Sequence, residues 1–229
     1  MPIIWPKYPS ISTSDKDCTH IAMLGIQDYA STLEQMRSFT RNRDAQTPDQ
    51  IWLLEHPPIY TRGRSSTEQD ILSELPYSIV DTDRGGQITY HGPGQLIVYY
   101  LIDTRRLVHI NLRGLIDDIE YTILAILRSF KISANTDSKA RGVYVAKQKI
   151  ASIGLRSTKQ GTYHGFALNV CAELAPFTHI NPCGRRQKMV NIQQLSDQVV
   201  ADVVTQSHKI LADSKLLKQR LFQLSSSVL

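Results

Sequence analysis

Apolar residues recur along this chain at two spacings. Ile26, Tyr29, Ala30, Leu33 and Met36 repeat at helical spacing and predict an amphipathic helix over residues 26–41. Ile116, Ile119, Ile123, Ile126, Leu127 and Phe130 form the strongest helical stripe, over 112–131. Short apolar runs bounded by turn residues predict strands at 51–55, at 59–64 (running into a loop with Gly63), at 79–81 and at 96–102. Three further runs, 142–146, 149–156 and 163–170, follow one another through links at 147–148 and 157–162, short enough for hairpins. A last helical region covers about 192–222. Residues 1–19, with three prolines and many polar residues, predict a flexible arm ahead of one catalytic domain spanning 20–229. Strands mixed with a few helices, including an antiparallel meander, argue for an α+β domain with a mixed, largely antiparallel sheet and flanking helices, not a doubly wound one.

Composition narrows the function. The 229 residues are 41% hydrophobic and 21% charged, as in a soluble globule with a real core. A net charge of +5 suits an acidic partner: nucleic acid, an acidic carrier protein or an anionic membrane. The longest basic run, Arg185-Arg186-Gln187-Lys188, is too short to favour nucleic acid. Three cysteines make no disulfide framework and point to a reducing compartment. No secretory leader is evident, and no run approaches the roughly twenty apolar residues of a membrane span, so a cytoplasmic protein is expected. No Cys-x-x-Cys or His-x-x-x-His pair offers zinc a site.

Four stretches carry candidate chemistry. Arg84-Gly85-Gly86-Gln87-Ile88-Thr89-Tyr90-His91-Gly92-Pro93-Gly94-Gln95 is rich in glycine and in polar groups, and reads as a ligand cradle or as a long glycine-rich turn. Lys149-Ile150-Ala151-Ser152-Ile153-Gly154-Leu155 opens an apolar strand with a lysine. Strand alternation puts Lys149, Ala151 and Ile153 on one face, where the amine is either partly desolvated or solvent-facing at a hairpin end. His164-Gly165-Phe166-Ala167-Leu168-Asn169 has a glycine inside a strand, the mark of close backbone approach or a bulge. Ile180-Asn181-Pro182-Cys183-Gly184 sets a cysteine on a stiff turn, either a reactive thiol or an incidental one. Cys18 and Cys171 lack that context.

Together these stretches resemble the lipoyl(octanoyl) transferase family of the biotin and lipoate protein ligase superfamily. Residues 84–95 fit its Arg-Gly-Gly-x-x-Thr-x-His-Gly-Pro-Gly-Gln pattern at every fixed position, and its Lys-Ile, His-Gly-x-Ala-Leu-Asn and Pro-Cys-Gly segments follow in order. The resemblance runs from about residue 51 to 184. It implies a ligase-like catalytic fold and transfer of an octanoyl group from octanoyl-acyl carrier protein to a lysine ε-amine. The acceptors it implies are lipoyl domains of 2-oxoacid dehydrogenase complexes and the glycine cleavage H protein, with no ATP, metal, nucleic acid or membrane involved. By family position Cys183 is the nucleophile and Lys149 tunes it. Arg84, Gly85, Gly86, Gln87, Ile88, Thr89, Tyr90 and His91 line the acyl pocket with Ser152, Ile153, Gly154, His164, Gly165 and Phe166.

The chemistry suits those residue types. A thiol attacks as thiolate, and lowering its pKa from about 8.5 by about two units raises the thiolate at pH 7.5 from ~10% to ~90%. A neighbouring ammonium acts in that direction. Three rivals stand beside this reading: an ATP-dependent ligase on the same fold, a non-catalytic basic binding module, and a cysteine hydrolase with His91 or His164 as base.

Overall fold

The computed structural model describes residues 3, 5, 19–106, 111–137, 140–182, 187–196 and 202–213. Cys18, Cys183, Gly184, Arg185 and Arg186 lie outside the described residues.

The chain opens with strand β1 (His20–Ile26), helix α1 (Tyr29–Asn42) and strand β2 (Gln50–Glu55). Asp28 caps α1 by accepting a hydrogen bond from the Ser31 amide at 2.9 Å. At its far end Arg43 turns inward to Asp49 (2.7 Å), a fully buried pair. There follow β3 (Ile59–Arg62), β4 (Ile79–Asp81), β5 (Thr89–His91) and β6 (Gln95–Leu101), then α2 (Leu112–Ser129), capped by Asn111. Strands β7 (Asn135–Thr136), β8 (Gly142–Val145), β9 (Gln148–Ser157) and β10 (Thr162–Asn169) come next, and α3 (Val203–Ala212) closes the described fold.

Seven strands form the main sheet in the order β1-β2-β6-β10-β9-β8-β7, parallel only between β1 and β2. A second sheet, β4-β3-β5, carries the glycine-rich stretch. Helices cover both faces of the main sheet. Ile51, Leu53, Leu96, Val98 and Tyr100 pack with Leu115, Ile119, Ile123 and Ile126 of α2. Trp52, Leu54, Ile97, Tyr99 and Leu101 pack with Tyr29, Leu33 and Met36 of α1. Two-sided burial is why β2 and β6 read as unbroken apolar runs without alternation.

The mixed, largely antiparallel α+β architecture is the expected one, with differences of detail. The first helix begins at Tyr29 because Ile26 ends β1, a strand in a stretch that the sequence pattern leaves unassigned between the arm and the predicted helix. It is a sheet edge with only Ile21 buried, and a register shift at Gly25 breaks its pattern. In the arm, Ile3 is buried in the main core and the Trp5 indole donates to Glu55 Oε1 at 2.6 Å, so the arm is tethered at both of these residues. The β8–β9 turn is Ala146-Lys147, both at positive φ, rather than 147–148. This left-handed pair matches the strand twist although neither residue is glycine. Of the helix expected over 192–222, the described part holds a 3₁₀ turn at Ile192–Gln194 and α3.

Gly165 joins β10 to β6 with no room to spare. A Cβ there would lie 2.0 Å from the Val98 carbonyl oxygen, a backbone atom that cannot move without parting the strands. Gly165→Ala is therefore expected to lower stability by about 3 kcal/mol or more, read as a denaturation midpoint. An unchanged midpoint would contradict this packing.

Candidate active site

A cavity of about 510 Å³ opens where the two sheets meet, within the usual range for a small-molecule site. Arg84, Gly85, Gly86, Gln87, Ile88, Thr89 and His91 line one wall. Lys149, Ser152, Ile153, Gly154 and Leu155 from β9, and His164, Gly165, Phe166 and Ala167 from β10, line another. Tyr29, Ile97, Tyr99, Leu112, Ile116, Ala140, Arg141 and Pro182 complete it. Three of the sequence stretches thus converge on one space, and the fourth reaches it at Pro182.

Tyr90 is the exception among the expected lining residues. It is buried on the other side of β5, against Tyr60, Tyr77 and Phe177. The glycine-rich stretch is not one open loop, because Thr89–His91 is a strand and its side chains alternate. Strict alternation fails on β9 as well. Val143 pairs with Ala151 but Tyr144 pairs with Lys149, leaving Ile150 as an extra residue. Across that bulge Lys149 and Ser152 reach the cavity together, whereas Ala151 joins the main core.

Lys149 is only 4% exposed. Its Nζ donates to the Arg141 carbonyl at 3.0 Å and lies 5.6 Å from the centre of the Tyr144 ring. Gly142, at φ +143°, makes the slot: a Cβ there would fall 2.5 Å from Lys149 Cε. Arg141 is pinned by Asp117 (2.7 Å) and Glu120 (3.0 Å) of α2, so the helix fixes the carbonyl that holds the amine. The main chain of Lys149 is clamped too. Its amide donates to the Lys188 carbonyl (2.8 Å) and its carbonyl accepts from the Val190 amide (3.1 Å). On the other side of Cys183, the Asn181 amide donates to the Asp70 carbonyl at 2.7 Å. The chain on either side of the cysteine is therefore anchored, once to Lys149 itself.

A buried hydrogen-bond chain ties the stretches together, and its members' roles follow from one another. Arg84 can only donate, and gives Thr61 Oγ1 bonds of 3.2 and 2.8 Å. Thr61 then turns its hydroxyl proton to His91 Nε2, 3.4 Å away. His91 Nδ1 donates to Gln95 Oε1 (2.7 Å), and Gln95 Nε2 donates to Asn169 Oδ1 (2.9 Å). Asn169 Nδ2 donates to the Val190 carbonyl (3.2 Å), next to the Lys149 clamp. Both nitrogens of His91 are thus engaged, and burial holds its pKa well below the ordinary range, which leaves it a weak base. Similarly, His56 Nδ1 donates to the Gln27 carbonyl (2.7 Å), so its Nε2 accepts from the Tyr99 hydroxyl (2.8 Å).

Burial governs titration here. It pushes His56 down to about 4 and His91 well below the ordinary range, and raises Tyr29 to about 12. Burial also raises the Cys171 thiol, which leaves that cysteine a poor nucleophile. Among the described residues no cluster of His, Cys, Asp or Glu could hold a metal ion, and no helix is long and apolar enough to cross a membrane.

The sequence and fold have known counterparts. The family model for the lipoyl protein ligase A/B catalytic domain matches residues 28–210. An octanoyltransferase from Saccharophagus degradans is 43% identical over 206 residues, covering 87% of this chain and 95% of that protein. The chain belongs to the octanoyltransferase family. Its activity is acyl transfer, moving octanoyl groups in protein lipoylation. Solved ligases share the octanoyltransferase fold at 12% identity. One is the bi-partite lipoate protein ligase of Thermoplasma acidophilum (TM-score 0.70; 84% of this chain and 82% of that one). Another is biotin protein ligase from Aquifex aeolicus (TM-score 0.50; 90% and 70%).

Of the side chains that sequence reasoning missed, Tyr29 and Tyr99 come from a helix and a strand it treated as scaffold, and Arg141 and Asp83 from connections to which it gave no role. Asp83 carried the one usable signal, an acidic residue directly before Arg84.

The buried histidines make stability pH-dependent. A histidine whose folded pKa is depressed binds fewer protons folded than unfolded, so stability is full above the unfolded value and falls with pH. For His56 the window runs from 6.5 down to about 4, worth on the order of 3 kcal/mol. Unfolding midpoints should fall across that window, and His56→Gln should flatten the slope. A slope identical to wild type would contradict it.

Proposed function

We propose that the cavity holds the octanoyl chain while Cys183 carries it as a thioester and Lys149 handles the proton. Octanoyl-acyl carrier protein is the donor. The acceptors are lysines on lipoyl domains of 2-oxoacid dehydrogenase complexes and on the glycine cleavage H protein. The observation that carries this reading is Lys149, buried in the wall of the cavity that Pro182 also lines, with residues 188 and 190 bonded to its main chain.

In the first half-reaction the Cys183 thiolate attacks the donor's carbonyl carbon. A new C–S bond forms, the bond to the phosphopantetheine sulfur breaks, and that sulfur takes a proton from the Lys149 ammonium. In the second, the acceptor nitrogen attacks the acyl-cysteine and the Cys183 sulfur leaves as thiolate. Neutral Lys149 takes back one proton. The donor is already a thioester and the product amide is more stable, so neither ATP nor a metal is required. Ile97, Ile116, Ile153 and Phe166 give the chain an apolar wall that shields the thioester from water. A thiolate nucleophile also fits a reducing compartment, which supports a cytoplasmic location.

The net charge of +5 favours encounter with an acidic carrier protein. Mixing the protein with octanoyl-carrier protein should give a covalent octanoyl adduct by intact mass without ATP or Mg²⁺. It should map to Cys183 and be absent in Cys183→Ser. An adduct on another residue, or transfer that needs ATP, would overturn the proposal in favour of a different acyl carrier or an adenylating ligase.

A further inference from the structure

The proton balance of the proposed cycle leaves one proton over. Cys183 and Lys149 together end a turnover as they began it. A lysine acceptor arrives as an ammonium and leaves as an amide, which loses two protons. Lys149 takes one. The other must go before the nitrogen can attack, and bulk water alone leaves only a small neutral fraction of a lysine of pKa about 10.4 near pH 7, so an acceptor inside the cavity would speed the step.

We propose that His164, oriented by Asp83, accepts that proton from the incoming acceptor lysine. This rests on the thioester pathway above. His164 lines the cavity and is buried, with its backbone held in the left-handed region at φ +61°, an uncommon conformation for a non-glycine residue and one found preferentially at functional sites. Its Nε2 lies 3.3 Å from Asp83 Oδ1. Asp83 is fixed in turn by the Tyr163 hydroxyl (2.5 Å) and Arg37 of α1 (3.3 Å). A carboxylate can only accept, so Nε2 carries the hydrogen and Nδ1 is the basic nitrogen. The arrangement is a base held in one tautomer by a carboxylate.

The surrounding charges agree. Burial pulls Asp83 up, but its bonds from His164 and Tyr163 and the Arg37 charge outweigh that and keep it ionised. Burial lowers His164, with Asp83 opposing and Arg84 and Arg37 assisting, so the ring is neutral at pH 7 and able to accept. The Tyr99 ring from β6 meets it edge-on at 5.9 Å and is un-ionised. His56 and His91, the other imidazoles whose charge would reach it, are neutral. When the proton arrives on Nδ1, Asp83 stabilises the imidazolium. Asp83 is itself partly exposed, which gives the proton a way back to solvent.

The test uses octanoyl-enzyme formed beforehand and mixed in single turnover with a lipoyl domain or with hydroxylamine, a nucleophile already unprotonated at neutral pH. With the lipoyl domain near pH 7, Asp83→Asn and His164→Gln should slow transfer by about a hundredfold. The deficit should close as pH rises towards the lysine's own pKa of about 10.4. With hydroxylamine, Asp83→Asn should match wild type. Equal loss with both acceptors, a loss independent of pH, or no loss would overturn the assignment. If His164→Gln does not fold, Asp83→Asn carries the test. Wild-type enzyme that forms no adduct on Cys183 would instead defeat the thioester pathway, and this inference with it.

Discussion

An amine buried in an apolar wall must find protein oxygens or pay heavily for lost water. Lys149 meets that constraint with a backbone carbonyl beneath it and an aromatic face beside it. Much else in the fold serves this placement. Gly142 leaves the slot, the bulge at Ile150 turns the side chain into the cavity, and Asp117 and Glu120 hold Arg141 so that its carbonyl stays put. The strand that presents the lysine is clamped by residues 188 and 190, which follow Cys183 in the chain. Movement of either would be felt by the other.

The polar residues of the sequence motifs divide into two kinds. Some face the cavity; others exist to hold those that do. Arg84, His91 and Gln95 of the glycine-rich stretch, with Thr61 before it and Asn169 after it, form one hydrogen-bonded line running from the cavity wall to the Lys149 clamp. Because His91, Gln95 and Asn169 each donate to one neighbour and accept from another, replacing one of them leaves two buried groups unsatisfied. Gln95, a buried motif residue that does not line the cavity, is explained by this line rather than by chemistry of its own.

Much of this was legible in the sequence where burial is two-sided or strongly periodic. The α2 stripe and the apolar runs of β2 and β6 announced themselves because both faces of the sheet are covered. β1 did not, since an irregular edge strand with one buried residue has no pattern to read. The turn at Ala146-Lys147 was displaced by one residue because neither position carries the glycine or asparagine that usually marks it. Tyr90 was placed in the pocket by the family resemblance, which takes residues 84–91 together; strand alternation sends its side chain to the opposite side. Asp83 was overlooked because its partners, Tyr163, His164 and Arg37, are brought to it only by the packing of β10 and α1. Cys183 lies outside the described residues, and its role rests on family position and on the anchored chain at either side.

The account turns on whether a cation held at Lys149 ionises the thiol of Cys183. The direct measurement is the pH dependence of Cys183 alkylation by iodoacetamide, followed by mass spectrometry in wild type and in Lys149→Met. The account predicts that the wild-type thiol titrates well below the free value of about 8.5, and that the substitution moves it back towards that value. A wild-type thiol that titrates as free cysteine does, unmoved by the substitution, would contradict it.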